Sequence, residues 1–477
     1  MKKFMDKDFL LHSHTAVELF NACKDLPIID YHCHLIPQEI AENKRFRNIT
    51  DLALSGDHYK WRLMRASGVS EEHITGASSD EDKFYHWCAT IEDCIGSPLY
   101  HWTHLEMRRY FDYDGPINGA LAAEIYAHCN KIIEREDFSA WGIFKKFRVE
   151  QIGTTDDPAD TLEYHMQMAA HRKNDPTLPL VTPTFRPSRI MNIEAPGFVE
   201  YVHILSNISG LSSNHESHTS LKICWDDFLA ILSQRIDFFH AVGCRISDHA
   251  LDPPVFAECT ESDAAIIFGK AMAGQALSQS EIDRYKTAIM LWLGHEYHAR
   301  GWVMQLHMAA QRSNNTRMSR KLGPDTGYDS MSDEPFSRPL ARLLDGLDIQ
   351  DALPKTILYG LNPVSDMMLA TMTGNFQGGG VRGKIQWGCP WWFNDTKPGM
   401  ENHLICLASA GVLSRFIGML TDSRSFMSYP RHEYFRRIMC QTIAEWVDKG
   451  EFPRDEVKLR KIVEGIGYYN AREYFGL

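Results

Sequence analysis

Two patterns of hydrophobic and polar positions alternate along this 477-residue chain. Short apolar runs are typical of buried β-strands, and longer stretches with apolar residues three or four positions apart are typical of helices. The apolar runs cover residues 28–34, 149–155, 178–185, 243–249, 302–307, 356–361, 383–387 and 417–422. Helical periodicity covers residues 160–172, 225–242, 281–300, 339–346, 363–372, 404–414 and 434–449. Because strands alternating with helices indicate a parallel sheet, the eight runs predict an α/β fold of the TIM-type (β/α)8 barrel class.

The predicted strands are unevenly spaced. Residues 35–148 separate the first two strands, and they show helical periodicity over 60–66, 82–94, 104–110 and 121–136. We therefore expect a distorted barrel in three parts: 1–34 with an N-terminal helix and the first strand, 35–148 as an inserted helical lobe, and 149–477 as the rest of the barrel. An insertion after the first strand leaves from the barrel mouth, so the lobe is expected to cover the active site. The alternative is a purely stabilising insertion.

The first apolar run ends in His32-Cys33-His34. Side chains two positions apart on a strand point the same way, so both imidazoles face one spot. That spot is the carboxyl end of the strand, where active sites of parallel barrels lie. Two converging nitrogens supply half of a zinc-type site, although a pair of hydrogen-bonded loop histidines is the ordinary alternative.

Other chemically useful side chains follow later predicted strands. His307 ends the fifth and Asp422 ends the eighth, so with His32 and His34 they offer three imidazoles and a carboxylate. This set suits one divalent metal, with Zn²⁺ as the first choice and Mn²⁺ as the alternative. Taken singly, His307 could be an ordinary hydrogen-bonded residue and Asp422 a helix cap.

Arg186 and Arg424 follow the third and eighth predicted strands. Arginine at a barrel mouth suits bidentate binding of a carboxylate or phosphate, and ion pairing with neighbouring acids is the alternative. Asp248 and His249 end the fourth strand and are candidates for lining the pocket. Another polar stretch, residues 313–335, follows the fifth strand, and a long loop at that end is more often functional than not.

Composition narrows the choice of partners and compartment. The net charge of −12 argues against nucleic acid or an anionic membrane as the main partner, but it leaves an anionic small molecule open. The 11 cysteines are scattered and include no C-x-x-C, which is typical of reduced thiols in a cytoplasmic protein. We see no signal peptide and no apolar stretch of membrane-spanning length. A homo-oligomer is expected from base rates alone.

Five motifs taken together resemble uronate isomerase, also called glucuronate isomerase, a branch of the amidohydrolase superfamily. The resemblance spans essentially the whole chain and rests on His32-Cys33-His34, Gly56-Asp57-His58-Tyr59-Lys60-Trp61-Arg62, Thr184-Phe185-Arg186-Pro187, Trp391-Trp392-Phe393-Asn394-Asp395 and Thr421-Asp422-Ser423-Arg424. It implies interconversion of D-glucuronate with D-fructuronate and of D-galacturonate with D-tagaturonate. It also implies a distorted (β/α)8 barrel and at most one divalent metal, usually zinc.

The resemblance assigns roles to residues at the matching positions. It implies a metal site built from His32, His34, His307 and Asp422. It implies substrate contacts from His58, Tyr59, Arg186, Trp391 and Arg424. For catalysis we expect contributions from Asp422, Tyr59, His58, Arg186 and Arg424.

Aldose–ketose isomerisation moves a proton between C2 and C1 through an enediol, which requires a positioned base and acid. We expect Asp422 and the metal to handle hydroxyl protons, and Tyr59 to move the carbon-bound proton, with Asp422 as the alternative. The first rival function is a metal-dependent hydrolase, disfavoured because no lysine follows strand three or four to bridge two metals. The second is a sugar-acid sensor without catalysis, disfavoured because every matched position keeps a chemically competent residue.

Overall fold

A computed structural model describes residues 3–210 and 223–477. In these two ranges, seven parallel strands form the centre of the fold, and a two-stranded antiparallel ribbon accompanies them. The strands are β1 Ile28–Asp30, β2 Val149–Gly153, β3 Leu180–Thr182, β4 Ile246–Leu251, β5 Val303–Met308, β6 Ala310–Gln311, β7 Ser330–Met331, β8 Lys355–Gly360 and β9 Ile385–Trp387. The antiparallel ribbon consists of β6 and β7.

The parallel strands form two hydrogen-bonded groups, β1-β2-β3 and β4-β5-β8-β9. Phe185 joins the groups, because it makes a parallel bridge to Asp156 after β2 and another to Ser247 in β4. All six residues of β5 are buried, as expected for a parallel strand covered by helices on one side and by the core on the other. The predicted α/β class with parallel strands is confirmed.

Helices follow most strands and fill the long connections. They are α1 His14–Cys23, α2 Pro37–Ala41, α3 Ile49–Leu54, α4 His58–Ala66, α5 Asp80–Ile91, α6 Pro98–Phe111, α7 Ala122–Ile133, α8 Ala140–Phe147, α9 Glu163–Asn174, α10 Ser188–Met191, α11 Phe198–Ser209, α12 Trp225–Val242, α13 Glu261–Met272, α14 Gln279–Ala299, α15 Thr316–Leu322, α16 Ser337–Asp348, α17 Asp366–Asn375, α18 Lys397–Ala410, α19 Pro430–Asp448, α20 Glu456–Glu464 and α21 Asn470–Phe475. Short 3₁₀ turns include Glu71–His73, Gly119–Leu121, Pro363–Ser365, Trp392–Asn394 and Leu413–Arg415, and a π-helical turn covers Gly465–Tyr469. Within the described residues, no helix is both long and apolar enough to cross a membrane.

Residues 35–148 contain α2 to α8. Helix α4 begins at His58 because the Asp57 side chain accepts hydrogen bonds from the backbone N–H groups of Tyr59 and Lys60. The same helix is tied to the segment after β5, since Arg62 donates to the carbonyl oxygens of residues 327 and 329. The first turn of α4 is therefore fixed next to the carboxyl ends of the parallel strands.

The eighth apolar run, residues 417–422, does not form the strand that its pattern predicts. The backbone has positive φ at Gly418 (81°) and Asp422 (47°), which interrupts an extended ladder. The segment still runs beside the continuation of β1, because Asp422 N–H donates to the His32 carbonyl at 3.1 Å and His34 N–H donates to the Ser423 carbonyl at 2.9 Å. Strand pairing is thus not continuous around a closed barrel in the part of the chain that the structure describes.

Residues 313–335 are more ordered than the single polar loop their composition indicates. They contain helix α15 and strand β7, and β7 pairs with β6. The Asn315 side chain accepts from the Met318 N–H and so starts α15. This segment lies near α4 and contributes Asp325 to the pocket described next.

Candidate active site

One pocket is lined by all nine residues that the sequence singles out for metal binding, substrate binding or catalysis. The pocket lies at the carboxyl ends of the parallel strands, between β1, β5, the 417–422 segment and the first turn of α4. Its lining includes the predicted residues His32, His34, His58, Tyr59, Arg186, His307, Trp391, Asp422 and Arg424.

His32, His34 and Asp422 form the tightest group in the pocket. Nε2 of His32 lies 3.3 Å from Oδ1 of Asp422, and Nε2 of His34 lies 3.1 Å from the same oxygen. Backbone hydrogen bonds between residues 32–34 and 422–423 set this proximity. The buried carboxylate of Asp30 adds to it, because it accepts from both the N–H (2.7 Å) and the hydroxyl (2.6 Å) of Thr421.

His32, His34 and Asp422 differ in how readily each carries a charge. Burial opposes ionisation of Asp422, but hydrogen bonds from His32 and His34 hold the pKa of its carboxyl well below the ordinary value. Burial lowers the pKa of His34 to about 4, so its imidazole is neutral near pH 7. Burial also disfavours a charged His32, yet Asp248 and Asp422 raise the pKa of that imidazole above its ordinary value.

A second group surrounds His307. Its Nδ1–H donates to Oδ1 of Asp248 at 2.7 Å, and the other oxygen of Asp248 accepts from Arg186 at 2.8 Å. Asp248 is completely buried, and Arg186 and His307 help to hold the pKa of its carboxyl well below normal despite the opposing effect of burial. Since Asp248 accepts a hydrogen bond from the Nδ1–H group, that nitrogen keeps the ring proton and Nε2 of His307 is left with a free lone pair.

The four predicted metal ligands fall into two overlapping sets that share His32. His32, His34 and Asp422 form one set of potential ligand atoms, whereas His307 shares a second set with His32 and Asp248. The sequence analysis predicted no role for Asp248 beyond lining the pocket. The structure places it as the residue that orients both His307 and Arg186.

The imidazole of His307 is held by a ring stack. Tyr359 of β8 lies parallel to it, with ring centroids 4.2 Å apart and 6° between the planes. The Tyr359 hydroxyl donates to Gln305 at 2.8 Å, which fixes the ring. A Cβ at Gly388 would lie 2.0 Å from that ring, so only glycine fits after β9.

The first turn of α4 brings His58 and Tyr59 to the pocket. Burial lowers the pKa of His58, and the positive charge of Arg424 lowers it further, so the imidazole is neutral near pH 7. Burial raises the pKa of Tyr59 far above its ordinary value, and the nearby Asp422 charge adds to this, so the phenol keeps its proton. The Tyr59 hydroxyl makes no hydrogen bond to any residue that the structure describes.

Both adjacent tryptophans line the pocket. Trp391 contacts His307 edge to face, with centroids 4.6 Å apart. Trp392 contacts His58 in the same manner at 5.4 Å. The resemblance singled out Trp391 alone, and the structure shows a pocket contact for each of the two.

Asp325 and Arg312 are among the charged pocket residues that the sequence did not single out. Arg424 donates to Asp325 at 2.9 Å, and Arg312 lies 3.6 Å from the other oxygen of the same carboxylate. Asp325 and Arg312 lie in or next to the polar 313–335 stretch, whose position after the fifth strand was the available signal. Near this edge of the pocket two arginines thus converge on one half-exposed carboxylate.

The residues present suit a divalent cation. Nδ1 of His32 and Nε2 of His307 are buried without a hydrogen-bond partner among the described residues. Such atoms are rare in folded proteins, and nitrogen ligands of a cation are one way in which they are satisfied. Together with the convergence of His34 and Asp422, this is the donor chemistry that Zn²⁺ or Mn²⁺ takes, and it is consistent with one metal.

These features define an α/β enzyme with a metal-type His/Asp centre in a pocket that several arginines line. The glucuronate isomerase family profile matches residues 1–475. A uronate isomerase from Caldanaerobacter subterraneus subsp. tengcongensis is 51% identical over 478 residues, and one from Caldicellulosiruptor saccharolyticus is 52% identical over 478 residues; each alignment covers 100% of both chains. The chain belongs to the glucuronate isomerase family and is an enzyme of the isomerase class.

The same relationship is visible in three dimensions. The crystal structure of uronate isomerase from Thermotoga maritima matches with a TM-score of 0.91 and 34% identity, covering 99% of this chain and 100% of that one. The family resemblance seen in the sequence is confirmed, and these relatives favour an isomerase over a hydrolase.

Proposed function

We propose that this enzyme interconverts D-glucuronate with D-fructuronate and D-galacturonate with D-tagaturonate by proton transfer through an enediol. The observation that carries the proposal is the meeting, in one pocket, of an ionised Asp422, a protonated Tyr59 and two arginines. A sugar acid needs all three kinds of group: a proton acceptor, a proton donor and a partner for its distal carboxylate.

Arg424 is our choice for binding the uronate carboxylate. Arg186 is engaged by the completely buried Asp248, and separating that pair would leave a buried charge without its partner. The side chains of Arg424 and Asp325 are 36% and 43% exposed, so an incoming carboxylate can exchange for Asp325 at low cost. Arg186 then serves to position His307 through Asp248 and to add positive potential.

The protonation states set the direction of the first proton transfer. Only Oδ1 of Asp422 contacts His32 and His34, which leaves Oδ2 to accept the C2 proton of the open-chain aldose. Tyr59 donates its hydroxyl proton to the C1 oxygen, which gives the enediol. Asp422 then returns its proton to C1 while the C2 hydroxyl proton passes to the Tyr59 oxygen, so both residues are regenerated. This reverses our preference from the sequence, because a phenol with a strongly raised pKa is a donor at rest and not a base.

His32, His34 and Asp422 would hold one divalent metal, most simply Zn²⁺, with His307 beside them. When bound, such an ion polarises substrate oxygens and stabilises negative charge that develops on them. His58 is neutral, and its buried Nδ1 has no partner among the described residues, so we assign it to a substrate hydroxyl. Trp391 supplies an apolar wall against which a sugar ring packs.

The three-part organisation also belongs to this proposal. We infer that 1–34 and 149–477 form a distorted (β/α)8 barrel in which the 417–422 segment takes the place of the eighth strand. The 35–148 region covers its mouth, since α4 carries His58 and Tyr59 into the pocket and is fastened to the loop after β5.

The direct test is a ketose assay on D-glucuronate and D-galacturonate with metal-stripped and zinc-loaded protein. We expect ketose from both aldoses, and we expect loading with zinc to raise turnover because the cation stabilises oxyanion character. Manganese loading is run in parallel, and simple lactones and amides serve as comparison substrates. Uronate binding without any ketose under all metal conditions, or turnover of the lactones and amides alone, would contradict the proposal.

A further inference from the structure

A second group of metal-type side chains lies in the 35–148 region, away from the pocket. Nδ1 of His73 is 2.5 Å from one oxygen of Asp82, and Nε2 of His86 is 3.8 Å from the other oxygen. The two imidazoles also contact each other, with ring centroids 4.3 Å apart and 39° between the planes. One potential ligand atom from each residue lies within 4.8 Å of the other two.

Local structure creates this convergence. Asp82 and His86 are four residues apart on α5, so their side chains lie one above the other on the same helix face. The Ser79 side chain caps α5 by accepting from the Asp82 N–H, which fixes the helix start. His73 ends the preceding 3₁₀ turn and is brought against the same carboxylate.

The geometry suits a compact divalent transition metal. Tetrahedral ligands at about 2.1 Å from Zn²⁺ lie roughly 3.4 Å from one another, so these three atoms need to move by only about an ångström. The Ser78 hydroxyl, 2.9 Å from the same Nδ1 of His73, would give up that contact when the ion binds. The three side chains are 29–38% exposed, which leaves an open face for entry of the ion and for a water ligand.

We propose that His73, Asp82 and His86 bind a divalent metal of the Zn²⁺ type at a structural site separate from the catalytic pocket. The ion would connect the 3₁₀ turn Glu71–His73 to α5. Glu71 in that turn already pairs with Arg65 of α4 at 2.8 Å, and Arg65 donates to the Thr326 carbonyl at 2.6 Å. By tying this turn to α5, the ion would stabilise the turn whose Glu71 holds Arg65 of α4 in place. None of the three ligand residues lines the pocket.

The test is zinc binding to full-length wild type and to two variants, His86→Gln and His73→Gln, by equilibrium dialysis with elemental analysis. The matched control is His14→Gln, because His14 also faces a carboxylate one helical turn away, at 3.1 Å from Glu18, but forms no metal-type group with a second imidazole among the described residues. We expect each site variant to bind one Zn²⁺ fewer per chain than wild type and the control, with at least about 100-fold weaker affinity at that site.

Isomerase turnover of all four proteins is measured alongside and should agree within about twofold when the catalytic pocket is loaded. A lost zinc equivalent with normal turnover supports the structural site. Unchanged zinc content and affinity in both site variants would overturn it, whatever the isomerase assay shows. Thermal unfolding with and without zinc provides a further readout: the zinc-induced rise in Tm should be smaller in the site variants than in His14→Gln.

Discussion

Replacing Asp422 by Asn is expected to lower kcat/KM for D-glucuronate by at least about 10³-fold, because the side chain loses the proton acceptor and a metal ligand together. Asparagine keeps the size and shape of the side chain but cannot take up the C2 proton. The paired His32 and His34 would then face a neutral amide instead of a carboxylate with a strongly lowered pKa.

Asn is the right substitution because the backbone at Asp422 has φ of 47°. Asparagine adopts this left-handed region readily, whereas most other residues would add strain. Asp93→Asn, at an exposed position in the 35–148 region, is the control and should leave turnover unchanged. Initial rates and unfolding in denaturant are measured for both; a turnover loss below tenfold in Asp422→Asn would remove Asp422 from proton transfer.

Replacing Tyr59 by Phe is expected to lower kcat by about 10²–10⁴-fold, the usual effect of losing a general acid. The free energy of unfolding should change little. The Tyr59 hydroxyl makes no hydrogen bond within the described structure, so its removal leaves no protein group without a partner. KM should change much less than kcat if the hydroxyl acts mainly during proton transfer.

Tyr469→Phe is the matched control, since that ring is 51% exposed and far along the chain in the π-helical turn. Steady-state kinetics and denaturant unfolding together separate the two possible roles. If Tyr59→Phe lost stability in proportion to its lost activity, the residue would belong to the packing of α4 and not to the chemistry.

Much of the site could be predicted because its residues lie in short local patterns. His32 and His34 are placed by the period of a strand, and Asp422 and Arg424 lie in one four-residue motif. Each of these residues lies at or near the end of an apolar run. Because active sites of parallel barrels lie at the carboxyl ends of the strands, this position alone predicts that the residue faces the site, without knowledge of its contacts in the fold.

The remaining features depend on contacts that no local pattern encodes. Asp248 acquires its role only because β4 and β5 pair in a register that sets it beside His307, 59 positions away. Asp325 meets Arg424 across 99 positions, from a segment whose helix and ribbon are hidden by its polar composition. The 417–422 run has the apolar pattern of a strand, but positive φ at Gly418 and Asp422 breaks the ladder and turns the carboxylate toward the histidines.

The central claim is that distant chain segments together hold a cation beside a sugar acid, and anomalous diffraction tests it most directly. Crystals of the zinc-loaded protein with D-glucuronate should give a zinc peak within bonding distance of His32, His34 and Asp422, with the uronate carboxylate at Arg424. A zinc peak confined to other residues, or a uronate bound outside this pocket, would contradict the account.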